Sequence, residues 1–145
     1  MLIALTENLY VAPQISVDTV AEAARLGVSL VVNNRPEGES ADQTPGEVIE
    51  QAARAEGLAY VAIPVTHAGF APWQIDALDE ALSGLGDGKA LLYCRSGTRS
   101  TLLWALSRAR AGDDVETVGQ TAAAAGYDLA PIRQIMEALA ANSDR

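Results

Sequence analysis

Three stretches of this chain, VSLVVNN (28–34), LAYVAIPV (58–65) and KALLYC (89–94), are nearly unbroken apolar runs separated by segments of helical pattern. A strand with one wet face alternates polar and apolar residues, whereas a continuous run needs cover on both faces. With a shorter run, NLYVA (8–12), the alternation of strand and helix predicts an α/β fold: a mainly parallel, four- to five-stranded sheet flanked by about six helices. Ligands of such sheets bind at the carboxyl ends of the strands. NNRP, VTHAG and CRSGTRS each leave the sheet at that edge, so they are expected to converge on one pocket.

Local signals place the helices. Ser16 is a cap for the first, which stops at Gly27, where a left-handed residue is usually needed. TPGE opens the second, with Thr44 as cap, Pro45 at the first helical position and Glu47 closing a capping box. The third runs from Pro72 to about Leu85. The segment TRSTLLWALSRARAG is helical, with Leu102, Leu103, Leu106 and Ala109 on its apolar side and Arg108 and Arg110 on its solvated face. Two more follow, one opened by Asp113 or Asp114 and the other near Asp128. The stretch NNRPEGESADQTPG is the longest irregular segment and therefore a candidate functional loop.

Composition narrows the function. At 145 residues the chain suits one domain, 1–145, and its 49% apolar and 20% charged residues are the balance of a soluble globular protein. The apolar runs are too short to span a membrane, and MLIALTENLY has no basic leader before Glu7, so cytoplasmic placement is the expectation. The single cysteine excludes an internal disulfide and a self-contained dithiol cycle. One histidine and one cysteine make no ordinary zinc site, and no cofactor is implied. A net charge of −9 argues against nucleic acid. The average hides a local reversal. Between Asp87 and Asp113 there is no acidic residue, yet Lys89, Arg95, Arg99, Arg108 and Arg110 fall there, so this segment can receive an anion.

Within it lies YCRSGTRS. A strand ending in cysteine, a short glycine-containing loop and a helix start aim backbone N–H groups and the positive helix terminus at one point, which binds an anion and favours a thiolate. Cys94 is the candidate nucleophile. Arg95, Ser96, Gly97 and Thr98 form the anion loop, with Gly97 free to take positive φ. Arg99 offers a planar fork to an oxyanion, and Ser100 a hydroxyl to the thiolate. The bland alternative is a buried cysteine ending a core strand.

Two chemistries use such loops. Protein tyrosine phosphatases carry Cys-x5-Arg, usually with His before the cysteine; rhodanese sulfurtransferases carry Cys-Arg-x-Gly-x-Arg or a close relative. CRSGTR has four residues between Cys94 and Arg99, and Tyr93 stands before the cysteine. A tighter ring suits the single terminal sulfur of a persulfide better than three phosphoryl oxygens. The leaving group gives a second criterion. A phenoxide, whose acid has a pKa of about 10, benefits from a positioned general acid, whereas sulfite or a thiolate does not. IPVTHAGFAPWQID has no Asp before Asp76, in a helix, where small dual-specificity phosphatases carry the acid on the loop. His67 is the substitute donor.

Over nearly its full length the chain resembles the beta-lactamase-hydrolase-like protein phosphatase-like domain family, through ENLYVAPQIS, VVNNRPEGES, AIPVTHAG, CRSGTRS and AAAAGYDLAPI. The resemblance implies a single-domain protein tyrosine phosphatase-like fold, Cys94 as nucleophile, Arg99 and the loop N–H groups as anion ligands, and Arg35 near the pocket mouth; Asn34, His67 and Asp76 are further candidate pocket residues. Members are described both as phosphatases and as sulfurtransferases, sometimes fused to or neighbouring persulfide dioxygenases. The loop spacing and the missing acid make sulfur transfer the leading expectation. Cys94 would take sulfur from thiosulfate or a low-molecular-weight persulfide, hold it as a persulfide and pass it to an acceptor thiol, with a persulfide-metabolism enzyme as a possible partner. Phosphate-ester hydrolysis through a phosphocysteine is the alternative, and a non-enzymatic anion-binding module the third reading.

Overall fold

The structure, a computed structural model, describes residues 1–142; the last three positions of the expected 1–145 domain lie outside the described residues. Strands β1 (Ile3–Thr6), β2 (Leu9–Ala12), β3 (Val28–Asn33), β4 (Ala59–Ala62) and β5 (Lys89–Tyr93) form one sheet in the order β1-β2-β5-β3-β4. All neighbouring pairs are parallel except β1 with β2. The helices are α1 (Val17–Arg25), α2 (Gly46–Ala55), α3 (Pro72–Ser83), α4 (Thr98–Arg110), α5 (Val115–Ala124) and α6 (Arg133–Asn142), with a 3-10 turn at Ala130–Ile132.

The apolar runs explain the layering. β5 lies at the centre, and from Ala90 to Tyr93 it is buried. Ala90 and Leu92 point into one core, packed with Val11, Val32, Leu103, Leu106 and Met136. Leu91 and Tyr93 point into the other, with Val20, Ala23, Val31, Ile49 and Ala53 of α1, β3 and α2. The expected face of Leu102, Leu103, Leu106 and Ala109 is buried, but so are Ser100, Thr101, Trp104, Ala105 and Ser107. α4 is therefore an interior helix, covered by its helical neighbours rather than half exposed. Each fully buried large apolar side chain contributes roughly 1.5–3 kcal/mol through removal from water, so the helix that follows Cys94 is anchored along its length.

Other expectations met the structure unevenly. Thr19 N–H donates to Ser16 Oγ (3.3 Å) and Ser16 N–H to Thr19 Oγ1 (3.2 Å), so α1 starts at its predicted cap; it ends before Gly27, whose φ is +94°. Asp114 caps α5 by accepting from Thr117 N–H (3.0 Å), and Asp128 accepts from Ala130 N–H (2.9 Å) to open the final helical segment. The box predicted at α2 does not form. Pro45 is the cap residue, and the Gly46 N–H donates to Glu37 Oε1 (2.9 Å), a carboxylate brought in from the preceding loop. Gly46 is also crowded: a Cβ there would lie 2.6 Å from Glu37 Oε2 and 2.9 Å from Asn33 Nδ2. α3 ends at Ser83 rather than Leu85.

The run 58–65 is not a strand covered on both faces. β4 is the sheet edge, with Ala59 and Ala62 exposed and Tyr60 and Val61 half-buried. The apolar demand comes from Leu58, Ile63 and Val65, which are buried at either side of the strand. β1 was not expected from sequence. It pairs through a tight turn in which Thr6 Oγ1 donates to Asn8 Oδ1 (2.8 Å). Among the described residues no helix is long and apolar enough to cross a membrane.

Because Leu103 is fully buried at the meeting of α4 and the sheet, Leu103→Ala is expected to cost about 3 kcal/mol, the usual range for a large-to-small core change. Urea unfolding measures it, and a loss below about 1 kcal/mol would contradict an interior α4.

Candidate active site

The three predicted segments do meet at the carboxyl edge of the sheet, and Asn34 ties them together. Its N–H donates to Tyr93 O (2.8 Å), its O accepts from Val65 N–H (2.9 Å), and its Nδ2 donates to Ile63 O (2.9 Å). Ser100 Oγ donates to Asn34 Oδ1 (2.8 Å). Both side chains are fully buried. Asn34 is thus a structural knot rather than a pocket residue, and the Ser100 hydroxyl is committed to it rather than donated to the Cys94 sulfur as expected. A buried amide has to be satisfied by fixed partners, and here the three loops supply them.

Cys94 follows β5 directly and is itself fully buried. The Gly97 N–H donates to Cys94 Sγ (3.1 Å), and Gly97 has the positive φ predicted for it, +89°, at the N-terminus of α4. Ser96 and Thr98 do not reach the sulfur: Ser96 Oγ donates to Thr98 Oγ1 (3.0 Å) on the outside of the loop. Gln14 N–H pins the carbonyl of Arg95 (3.2 Å), whose side chain is exposed.

Arg99 has a partner the sequence reading missed. Its Nη1 donates to Glu39 Oε2 (2.7 Å) and to Val65 O (2.7 Å), and its Nη2 to Glu39 Oε1 (2.8 Å). Those bonds use three of the five guanidinium N–H groups. The remaining two, on Nε and Nη2, share one edge of the plane, and the Cys94 side chain lies within hydrogen-bonding reach of the guanidinium. The proximity of Cys94 helps to raise the Arg99 pKa, after the larger effect of the hydrogen bond to Glu39.

Glu39 in turn accepts from Arg35 Nε (3.0 Å), and Arg35 spends its other nitrogens on Gln14 Oε1 (3.0 Å) and Ser40 Oγ (3.1 Å). Arg35 is buried in this network and does not stand at the pocket mouth. Hydrogen bonds from Arg99, then from Arg35, hold the Glu39 carboxyl down at about 2 against the opposing effect of burial. It is a carboxylate at neutral pH and cannot donate a proton. His67, exposed, lines a cleft of about 280 Å³ with Glu39, Arg95 and Arg99. Asp76 is elsewhere: it is exposed on α3 and ion-paired to Arg110 (2.7 Å). Arg110 also meets Asp79 and Arg108 meets Asp113, so both arginines serve the outer face as expected. A larger hollow of about 750 Å³, bordered by Asn8, Trp104 and Arg108, lies toward the opposite strand ends.

Tyr127, from the turn after α5, also escaped the sequence reading as a site residue. Its hydroxyl donates to Ser96 O (3.3 Å). Burial first, then the Cys94 charge, raise its pKa. Neither Glu39 nor Tyr127 carries a local signal, because each reaches the loop only through the tertiary fold.

A five-stranded, mostly parallel sheet, a cysteine loop after its central strand and the three helices that follow that loop define a phosphatase-like α/β protein. Residues 2–111 match the family described as beta-lactamase hydrolase-like protein, phosphatase-like domain, and the chain belongs to that family. The beta-lactamase hydrolase-like protein of Xylella fastidiosa is 35% identical over 129 residues, covering 86% of this chain and 29% of that protein. The Agrobacterium fabrum protein of the same name is 30% identical over 138 residues, 92% of this chain and 31% of that one. The chain therefore spans less than a third of these relatives. A Neisseria meningitidis protein called a putative phosphatase superposes with a TM-score of 0.81 at 30% identity, over 94% of this chain and 96% of that one. Human DUSP28 (TM-score 0.70, 17% identity, 99% and 95% covered) and Tk-PTP in its active form (0.71, 13%, 97% and 97%) share the fold. The fold is that of the dual-specificity and tyrosine phosphatases.

A carboxyl whose folded pKa, about 2, lies below its ordinary value of 4.5 stabilises the fold above that ordinary value and loses the contribution as pH falls toward 2. Urea midpoints measured from pH 5 to pH 2 should therefore fall less steeply in Glu39→Gln than in the unmodified protein. Parallel curves would show that the Glu39 carboxyl is not held by Arg99.

Proposed function

We propose that this protein hydrolyses phosphate monoesters through a phosphocysteine on Cys94. The observation that carries the reading is the geometry of Arg99. Glu39 and the Val65 carbonyl hold one end of its guanidinium, leaving a two-donor edge beside Cys94. A bidentate edge matches two phosphoryl oxygens, and the Gly97 N–H and the α4 terminus add positive potential on the same side. The phosphatase-like fold and the phosphatase names of its structural neighbours favour this over the sulfur-transfer expectation.

In the reaction the Cys94 thiolate attacks phosphorus, an S–P bond forms, and the ester P–O bond breaks in line. The departing oxygen takes a proton from His67, which lines the cleft. Water then attacks phosphorus and passes a proton back to His67, the S–P bond breaks, and inorganic phosphate leaves with the thiolate restored. Arg99 and the loop N–H groups hold the equatorial charge throughout. Glu39 orients Arg99 and stays ionised. Because Cys94 is covered in the free protein, the cleft residues part as the ester enters.

Sulfur transfer remains the second reading, favoured by the four-residue spacing of CRSGTR and by the absence, among the described residues, of a free carboxylic acid lining the cleft. It would need a small anionic sulfur donor and an acceptor thiol. Aryl phosphate turnover and intact mass after thiosulfate or glutathione persulfide separate the two. The expected result is turnover abolished by Cys94→Ser, lowered on the order of 10²–10³-fold by Arg99→Ala as for loss of a transition-state donor, and unchanged by Asp76→Asn. Turnover no higher than that of Cys94→Ser, with one added sulfur on Cys94, would transfer the assignment to sulfur chemistry. Sulfate or phosphate binding with neither outcome would leave an anion-binding module.

A further inference from the structure

The Ser96–Gly97 peptide is held at both of its ends. Its carbonyl accepts from the Tyr127 hydroxyl (3.3 Å), and its N–H donates to Cys94 Sγ (3.1 Å). In a planar trans peptide these two groups point in opposite directions, so fixing the carbonyl outward fixes the N–H inward. The same plane can turn over by changing Ser96 ψ and Gly97 φ together, and glycine alone accepts φ of either sign at little cost. After such a turn a carbonyl oxygen, rather than an N–H, would face the sulfur and any anion beside it. Gly97 sits at φ +89°, the inward-N–H state.

We infer that Tyr127 is a positioning residue that holds the Ser96–Gly97 peptide in its anion-receiving orientation. This rests on the reading of residues 94–99 as an anion loop, but not on which ester or donor the loop serves. The tyrosine is built against that peptide. A Cβ placed on Gly97 would collide with the Tyr127 hydroxyl and lie 3.1 Å from its Cζ. The partly buried ring packs against the core cluster that also holds residues of α4, α5 and α6, so the hydroxyl is delivered from a fixed base. Burial and the charge on Cys94 both favour the protonated phenol, which keeps the group a donor to Ser96 O. Within the loop, Ser96 Oγ and Thr98 bond to one another and leave the Ser96 carbonyl to Tyr127.

Tyr127→Phe tests this, since it keeps the ring and removes only the donor. In 15N-labelled protein the Gly97 amide resonance reports its bond to sulfur, and titration with inorganic phosphate reports the anion site. The expected result is a displaced Gly97 resonance and phosphate affinity weakened by a factor of about five, the scale of one hydrogen bond, with the thermal midpoint lowered by no more than a few degrees, the cost of that same bond. Tyr10→Phe, distant from the loop, should move neither. An unmoved Gly97 resonance, or a lowered midpoint with unaltered phosphate affinity, would overturn the inference and leave Tyr127 a packing residue. Should phosphate fail to bind the unmodified protein, the anion-loop reading fails, while the Gly97 resonance in Tyr127→Phe still decides whether Tyr127 holds the peptide.

Discussion

The ion pair of Glu39 with Arg99 joins segments sixty positions apart, and the candidate site is organised around it. An arginine on the first turn of a helix has several rotatable bonds and no intrinsic reason to face the loop before it. Two carboxylate oxygens and the Val65 carbonyl remove that freedom. Arg35, itself held by Gln14, then holds Glu39 from behind. With its end fixed, the guanidinium offers an anion a ready-made edge, so less ordering remains to be done when a ligand arrives.

The pair can do this only because its two supports are rigid. α4 is buried along nearly its whole length, and β5 is covered on both faces. The loop from Cys94 to Gly97 is therefore spanned between two immobile ends. Asn34 adds the third support by bonding Tyr93, Ile63, Val65 and Ser100 at once. The Cys94 thiol is buried under this frame, and the same frame directs an N–H at it.

Fold class was legible because burial on two faces leaves a mark in composition: KALLYC and VSLVVNN cannot be half-wet strands. The mark misled at LAYVAIPV, where the buried residues are the flanks and the strand between them is an exposed edge. The α2 start misled for a related reason. TPGE satisfies every local rule for a capping box, yet Glu37 reaches the Gly46 N–H first, and a tertiary donor–acceptor pair outcompetes the local one. Asp76 and Ser100 have side chains suited to the chemistry proposed for them, and each is committed to another partner, Arg110 and Asn34 respectively.

The sequence alone determined the sandwiched sheet, the central strand ending in Cys94, the glycine able to turn with positive φ, and the arginine one helical turn beyond. These follow from periodicity, conformational freedom and charge, which are properties of neighbouring residues. Only the tertiary structure decided which groups hold that machinery: Glu39 on the Arg99 fork, Tyr127 on the Ser96 carbonyl, and Asn34 at the knot. A hydrogen bond depends on position and direction to within a few tenths of an ångström. Between residues dozens of positions apart, those quantities exist only once the chain has folded.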